Sequence, residues 1–213
     1  MHEISAWHDW HAGESIVVCG LGPSVKEFAP YAEYFTTIGV NDIDRHFAPD
    51  YLIVVDSFSQ FERDRPDRVN RREVIRNTGA RAVFSQLQSD ALGFEPKFRV
   101  SMDLIRMNPV NLDHPKAIAC TNNTPFIGAA LAGYMGAKKI GLIGVDLKGH
   151  AFESSAPQIS QDFFALNETI KARNGGEIIN LSQISLITSL RRGSLEDLLP
   201  PEVAERLRRK AKS

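Results

Sequence analysis

The chain is expected to be an α/β protein: a single Rossmann-like domain whose mostly parallel sheet carries helices on both faces. Two observations predict it. Short runs of apolar and β-branched residues at 16–19, 35–40, 51–55 and 140–146 read as strands, the first of them uninterrupted and of the kind buried on both faces. Segments of helical character lie between them, and alternating strand and helix signals are the mark of a parallel sheet. The length agrees, since 213 residues suffice for one such domain with a sizeable core.

The first strand (Ile-Val-Val-Cys) runs into Gly20, Leu21, Gly22, Pro23 and Ser24. Two glycines let the backbone turn tightly and approach a ligand, and Pro23 suits a first helical turn, where a missing N–H costs little. Ser24 reads as either a cap or a direct ligand contact. Strand, glycine turn and helix start aim free N–H groups at one spot, which suits a phosphate. A tight βα turn with no ligand is the plainer reading of the same residues. The spacing matches neither the GxGxxG fingerprint nor a Walker loop.

A short helix over residues 25–34, interrupted near Pro30, leads to the second strand, which ends at Asn41 and Asp42. The third strand follows Pro49 and Asp50 and ends at Asp56. Residues 20–24, Asn41 and Asp56 therefore all fall just beyond the carboxyl ends of successive strands. In a parallel sheet those ends share one rim, and ligands bind in the crevice outside it. Residues 62–76 are dense in Arg, Asp and Glu and read as a solvated, salt-bridged helix, with an anion- or acceptor-binding face as the alternative. A fourth strand is expected over 80–85. Residues 86–115 look irregular, an insertion or a lid over the rim.

Residues 116–120 lead into Thr121, Asn122, Asn123 and Thr124, polar groups suited to the start of a helix and to hydrogen-bonding a ligand. The helix over 126–135 is small and apolar, the composition of one packed closely on a sheet. The strand after it ends at Asp146, with His150 four residues on. An amphipathic helix over 161–173 closes at Asn174-Gly175-Gly176, before a last strand over 177–181. The division expected is an N-terminal arm over 1–14, the domain over 15–190 and a basic helix over 191–213. Trp7 and Trp10 would pin one turn of the arm onto the domain. The spacing of His2, His8 and His11 is too loose for a metal site.

The formal net charge of -1 gives no electrostatic reason to expect nucleic acid or an anionic membrane. Cys19 and Cys120 suggest no disulfide framework, which makes a reducing cytoplasm the expected compartment. No signal peptide or membrane-spanning run is apparent.

Three pieces together resemble a known family. Cys19-Gly20-Leu21-Gly22-Pro23-Ser24 is similar to the CGNGPS motif of the bacterial sialyltransferases of glycosyltransferase family 42. Asn41 matches the position where that family places an asparagine against the nucleotide. The run from Asn123-Thr124-Pro125 to Gly144-Val145-Asp146 resembles its serine-glycine-led helix and following strand. The likeness spans roughly residues 15–185 and extends to domains of flagellin-glycosylation proteins and hydroxymethylpterin diphosphokinases. Leu21 replaces the motif's asparagine, Asp56 stands where an asparagine is expected, and no tyrosine pair follows Asp146.

The resemblance implies a nucleotide-binding transferase domain that takes a sugar from a CMP-sugar-like donor without a required cofactor. It places the turn of Gly20, Leu21, Gly22, Pro23 and Ser24, Asn41 and the loop of Asn122, Asn123 and Thr124 around the nucleotide, and Asp56 and Asp146, at strand ends, are expected to join them. His150 is then the base, since histidine titrates near neutrality, with a capping or buried role for it left open. The partners expected are a nucleotide or nucleotide-sugar, a glycan or other hydroxyl acceptor, and a second copy of the chain. One alternative is diphosphoryl transfer from ATP, with Asp56 and Asp146 holding Mg²⁺. The other is a non-catalytic nucleotide-binding module.

Overall fold

The computed structural model describes residues 2–61, 70–199 and 203–204. In chain order its elements are β1 (His2–Glu3), β2 (Ser15–Cys19), α1 (Val25–Phe28), β3 (Thr36–Val40), β4 (Tyr51–Ile53), α2 (Arg71–Arg76), β5 (Ala82–Ser85) and α3 (Ser89–Leu92). They continue with β6 (Arg99–Ser101), β7 (Asp103–Ile105), β8 (Ala117–Ala119), α4 (Thr124–Tyr134), β9 (Lys139–Ile143), α5 (Ala156–Asn174), β10 (Glu177–Asn180) and β11 (Arg191–Arg192). The charged helix expected over 62–76 lies outside the described residues up to residue 69, and its described part is α2. The basic tail lies outside them from residue 200 on, apart from 203–204.

Nine strands form one parallel sheet in the order β1-β6-β5-β4-β3-β2-β9-β10-β11, and β7 pairs with β8 separately. The fold class is thus α/β, with helices on both faces of a parallel sheet. Strands without polar alternation do what such runs predict. Ile16 and Val18 of β2 enter the core shared with α4 and α5, while Val17 and Cys19 enter the core shared with α1 and α2. All four are 0% exposed.

From β2 the chain moves outward through β3, β4 and β5 to β6, then returns by β7, β8 and α4 to β9 on the other side of β2. Strand order reverses at β2, the place where open α/β sheets leave a crevice beyond their carboxyl ends. Helix α4 reaches it because its small residues let it lie on the strands. A Cβ added to Gly128 would stand 2.8 Å from Val18 Cγ1. Four residues earlier, about 6 Å along the axis at 1.5 Å per residue, Thr124 opens the helix at the strands' carboxyl end.

Residues 86–115, read from sequence as irregular, supply α3, the sheet strand β6 and β7. Pro96 and Lys97 interrupt the pattern just before β6, which hid a three-residue strand whose Arg99 and Val100 are buried. The first residues are docked on the domain. Ile4 is buried, Trp7 packs edge-on against Tyr51 and Phe84 at 5.4 and 5.1 Å, and His11 Nε2 lies 2.8 Å from the Tyr51 hydroxyl. Trp7 therefore pins the segment as expected, whereas Trp10 is exposed. Helix α5 ends at Gly175, whose φ of 69° is the left-handed stop that its glycine foretold. No helix among the described residues is long and apolar enough to cross a membrane.

Candidate functional site

The glycine turn and the loop after β9 form one closed knot. Gly20 N–H donates to the Ile143 carbonyl at 2.8 Å and Gly22 N–H to the Gly144 carbonyl at 2.7 Å. Neither glycine has a positive φ. What requires them is contact, because a Cβ at Gly20 would stand 2.4 Å from the Gly144 oxygen and one at Gly22 2.5 Å from Asp146 Oδ2.

Ser24 does not cap α1; its N–H and hydroxyl donate to Asp146 Oδ2 and Oδ1 at 2.9 and 2.7 Å. The same hydroxyl accepts from Gly144 N–H at 2.9 Å, and Ser182 donates to Asp146 Oδ1 at 2.5 Å. Asp146 is 1% exposed, so this carboxylate is spent inside the protein. Leu21 is half-buried between the two cores, and Pro23 is exposed.

Asn41 stands apart. Immediately after β3 it has φ 53° and its N–H donates to the Ile53 carbonyl at 2.9 Å. Asparagine tolerates this left-handed backbone better than most residues. The residue is 9% exposed, and among the described residues the amide oxygen Oδ1 has no hydrogen-bond donor. A buried acceptor left unmade costs about 1–3 kcal/mol, which a ligand N–H or O–H would restore.

Its neighbour Asp42 is 0% exposed. Arg71 at the start of α2 donates to Asp42 Oδ1 through Nε at 2.9 Å and lies 2.8 Å from it through Nη2. Asp56, after β4, is half-buried; burial raises its pKa above the ordinary carboxylate value, and the Arg71 charge pulls it back.

On the other face of the sheet, Asn123 caps α4, its Oδ1 accepting from Phe126 N–H at 3.1 Å. Thr121 Oγ1 in turn accepts from Asn123 N–H at 3.2 Å. Asn122 is exposed and accepts from Arg106 Nη2 at 2.5 Å, and Thr124 begins the helix half-buried.

His150 lies exposed in the loop after β9. Its Nδ1 accepts from Phe152 N–H at 3.2 Å, so the neutral ring holds its proton on Nε2. None of these groups hydrogen-bonds to the Ser24–Asp146 knot.

Three residues that matter here carried little signal in the sequence. Arg71 is one arginine among many in a charged stretch, Asp42 is masked by Asn41 beside it, and Ser182 is a lone serine after a strand. Only the strand-end position of Asp42 was legible.

The site's donor set does not fit the Mg²⁺ reading. Asp146 has both oxygens committed to Ser24 and Ser182, which leaves Asp56 as a single carboxylate, a poor ligand set for a cation that favours octahedral geometry. Among the described residues no group of three or more His, Cys, Asp or Glu side chains gathers as a metal site. A cavity of about 720 Å³ lined by Pro30, Tyr34, Phe47, Asp50 and Arg81 lies at the amino ends of β3 to β5, the edge of the sheet away from these residues.

No family model matches the chain, and no curated protein does. Among solved structures, the sialyltransferase CstII from Campylobacter jejuni in complex with CMP-3FNeuAc is 12% identical, with 84% of each chain covered and a TM-score of 0.46. An α-2,3-sialyltransferase from the same organism, in apo form, is 15% identical over 94% of this chain and 96% of that one, with a TM-score of 0.45. CST-II with a trisaccharide acceptor and CMP is 14% identical over 87% of each chain, with a TM-score of 0.49. Likeness at these levels carries no argument about activity, which rests on the chemistry of the rim.

Proposed function

We propose that the chain is a glycosyltransferase that takes a sugar from a CMP-sugar-like donor bound along the carboxyl rim of β2 to β4. The observation that carries this reading is Asn41 Oδ1, a buried acceptor with no donor among the described residues. Its oxygen and the Asp56 carboxylate, both beyond strand ends on this side of the rim, offer hydrogen-bond acceptors there. Such acceptors suit ribose hydroxyls or a base amino group and repel phosphate.

Thr124, at the start of an eleven-residue helix, and Arg106 beside Asn122 suit the anionic end instead. The ligand would then lie with its nucleoside toward β3 and β4 and its phosphate toward α4. The knot of Gly20, Gly22, Ser24 and Asp146 acts as the fixed wall between the two loops. The motifs of the glycine turn and of Asn41 support the same assignment by their resemblance to the family's own.

In the transfer, the acceptor oxygen bonds to the anomeric carbon of the donor. The bond from that carbon to the phosphate oxygen breaks, the nucleotide leaves with the electron pair, and a base takes the acceptor proton. His150 fills that role once its loop releases Nδ1 from Phe152 N–H, because the Nε2 of the present neutral ring carries a proton. The expected result for His150→Gln is loss of turnover with CMP affinity unchanged; loss of both, or of neither, removes His150 from the mechanism.

The test of the whole reading is calorimetric titration with CMP, the nucleotide bound to CST-II, in the presence of EDTA. Metal-independent binding that Asn41→Ala weakens supports it. Binding of ATP only with Mg²⁺ would return the diphosphokinase reading. CMP binding without transfer from any CMP-sugar would leave a binding module.

A further inference from the structure

We propose that Arg71 is a positioning residue of this site: by gripping Asp42 it holds the amide oxygen of Asn41 where a ligand donor meets it. The inference rests on the nucleotide-site reading above and assigns a role to the arginine-rich stretch that the reading leaves unused.

Asn41 and Asp42 are consecutive, so a rotation of one backbone unit moves the other. Asn41 is anchored on the sheet side by its own N–H, which donates to the Ile53 carbonyl at 2.9 Å. The far side is anchored through the Asp42 carboxylate, with Arg71 Nε and Nη2 both on Oδ1 at 2.9 and 2.8 Å. Arg45 Nη1 stands 3.6 Å from the other oxygen, Oδ2. The Arg71 guanidinium is itself fixed, lying 4.7 Å from the centre of the Phe61 ring, and Phe61 is buried.

Between these two anchors, Asn41 keeps a φ of 53° and a side-chain oxygen that meets no donor among the described residues. A buried ion pair adds little net stability over an apolar pair of the same volume. What the pair supplies here is direction. The forked geometry of arginine, with two donors on one oxygen, fixes the carboxylate as a single ammonium cannot.

The experiment measures CMP affinity by calorimetry for the native protein, Arg71→Met, Asn41→Ala and the double variant. Ile75→Val, a conservative change of a buried side chain on the same helix, serves as a control for loss of stability alone. Each single change at the site is expected to weaken CMP about tenfold, the worth of one well-made hydrogen bond, and the double variant no further. Ile75→Val should leave affinity unchanged.

If Arg71→Met does not fold, the neutral pair Asp42→Asn with Arg71→Gln keeps polar groups at both positions and removes the ionic grip, and the same weakening is expected. Unchanged affinity in the Arg71 variants, or losses that add in the double variant, overturns the proposal. Native protein that binds no CMP overturns the nucleotide reading and this one with it. Native protein that binds CMP as tightly as its Arg71 variants overturns this one alone.

Discussion

Asp146 accepts hydrogen bonds from the Ser24 N–H, the Ser24 hydroxyl and the Ser182 hydroxyl while 1% exposed. Hydrogen bonds to an ionised acceptor are the strong ones, because a low-dielectric surrounding screens them little. Asp146→Asn keeps the shape, removes the charge and turns one acceptor into a donor that faces a hydroxyl. We expect it to lower unfolding stability by about 1.5–3 kcal/mol in urea titrations. The affinity of the remaining folded protein for CMP should be unchanged, and a loss of affinity at full folding would make Asp146 a ligand contact. Asn41 is the opposite case, a buried oxygen with no donor among the described residues, and removing it should cost affinity rather than fold.

Two kinds of glycine end two elements, and substitution should separate them. Gly22 follows β2, and an added Cβ would stand 2.5 Å from Asp146 Oδ2 and 2.8 Å from the Gly144 oxygen. Neither atom is free to withdraw, since the Gly144 carbonyl accepts from Gly22 N–H and the carboxylate is held by Ser24 and Ser182. Gly175 ends α5 at φ 69° with nothing within 4 Å of an added Cβ. Gly175→Ala should therefore cost only the left-handed backbone penalty, about 1–2 kcal/mol. Gly22→Ala should cost more, roughly 3 kcal/mol from overpacking and displaced hydrogen bonds together. Equilibrium unfolding of the two variants checks the order, and the reverse order would mean that the turn after β2 can open.

The acid–base balance of the folded state is set by burial and pairing in opposite senses. Burial raises the pKa of Asp56 and of Asp44, in each case against weaker lowering contributions, so the folded state holds these protons more tightly than the unfolded chain. Their ionised forms thus penalise the fold at neutral pH, and the penalty fades as pH falls through the raised folded value. Asp113 and Asp197 behave the other way. The Arg173 hydrogen bond and the Ser194 N–H respectively lower them, giving stability that is present at neutral pH and lost as pH falls through those lowered values. Both are near the surface, where solvent screens the gain. Asp56→Asn should accordingly raise the melting temperature at about pH 7, with the gain shrinking toward about pH 4. A gain independent of pH would show that the Asp56 charge is not what burial penalises.

Most of the sheet was legible in the chain because a strand buried on both faces is written locally, as an apolar run followed by Gly, Asn or Asp. Residues 16–19, 36–40 and 140–143 needed no partner to be recognised, nor did the cap at Gly175. β6 was not legible, and of the docking of residues 2–14 only the tryptophan pin was, since such segments have few apolar side chains and find their partners far away, as Trp7 does in Phe84. The same divide runs through the site. Local pattern placed Gly20–Ser24, Asn41, Asp56 and Asn122–Thr124 beyond strand ends or at a helix start, which requires only chain order. Whether a polar group there is spent or free depends on residues distant in sequence. Ser24 and Asp146, 122 residues apart, satisfy each other. Asp42 Oδ1 is taken by Arg71, while Asn41 Oδ1 and Asp42 Oδ2 have no hydrogen bond among the described residues. Hydrogen-bond satisfaction is a property of three-dimensional neighbours, so only the folded chain could decide it.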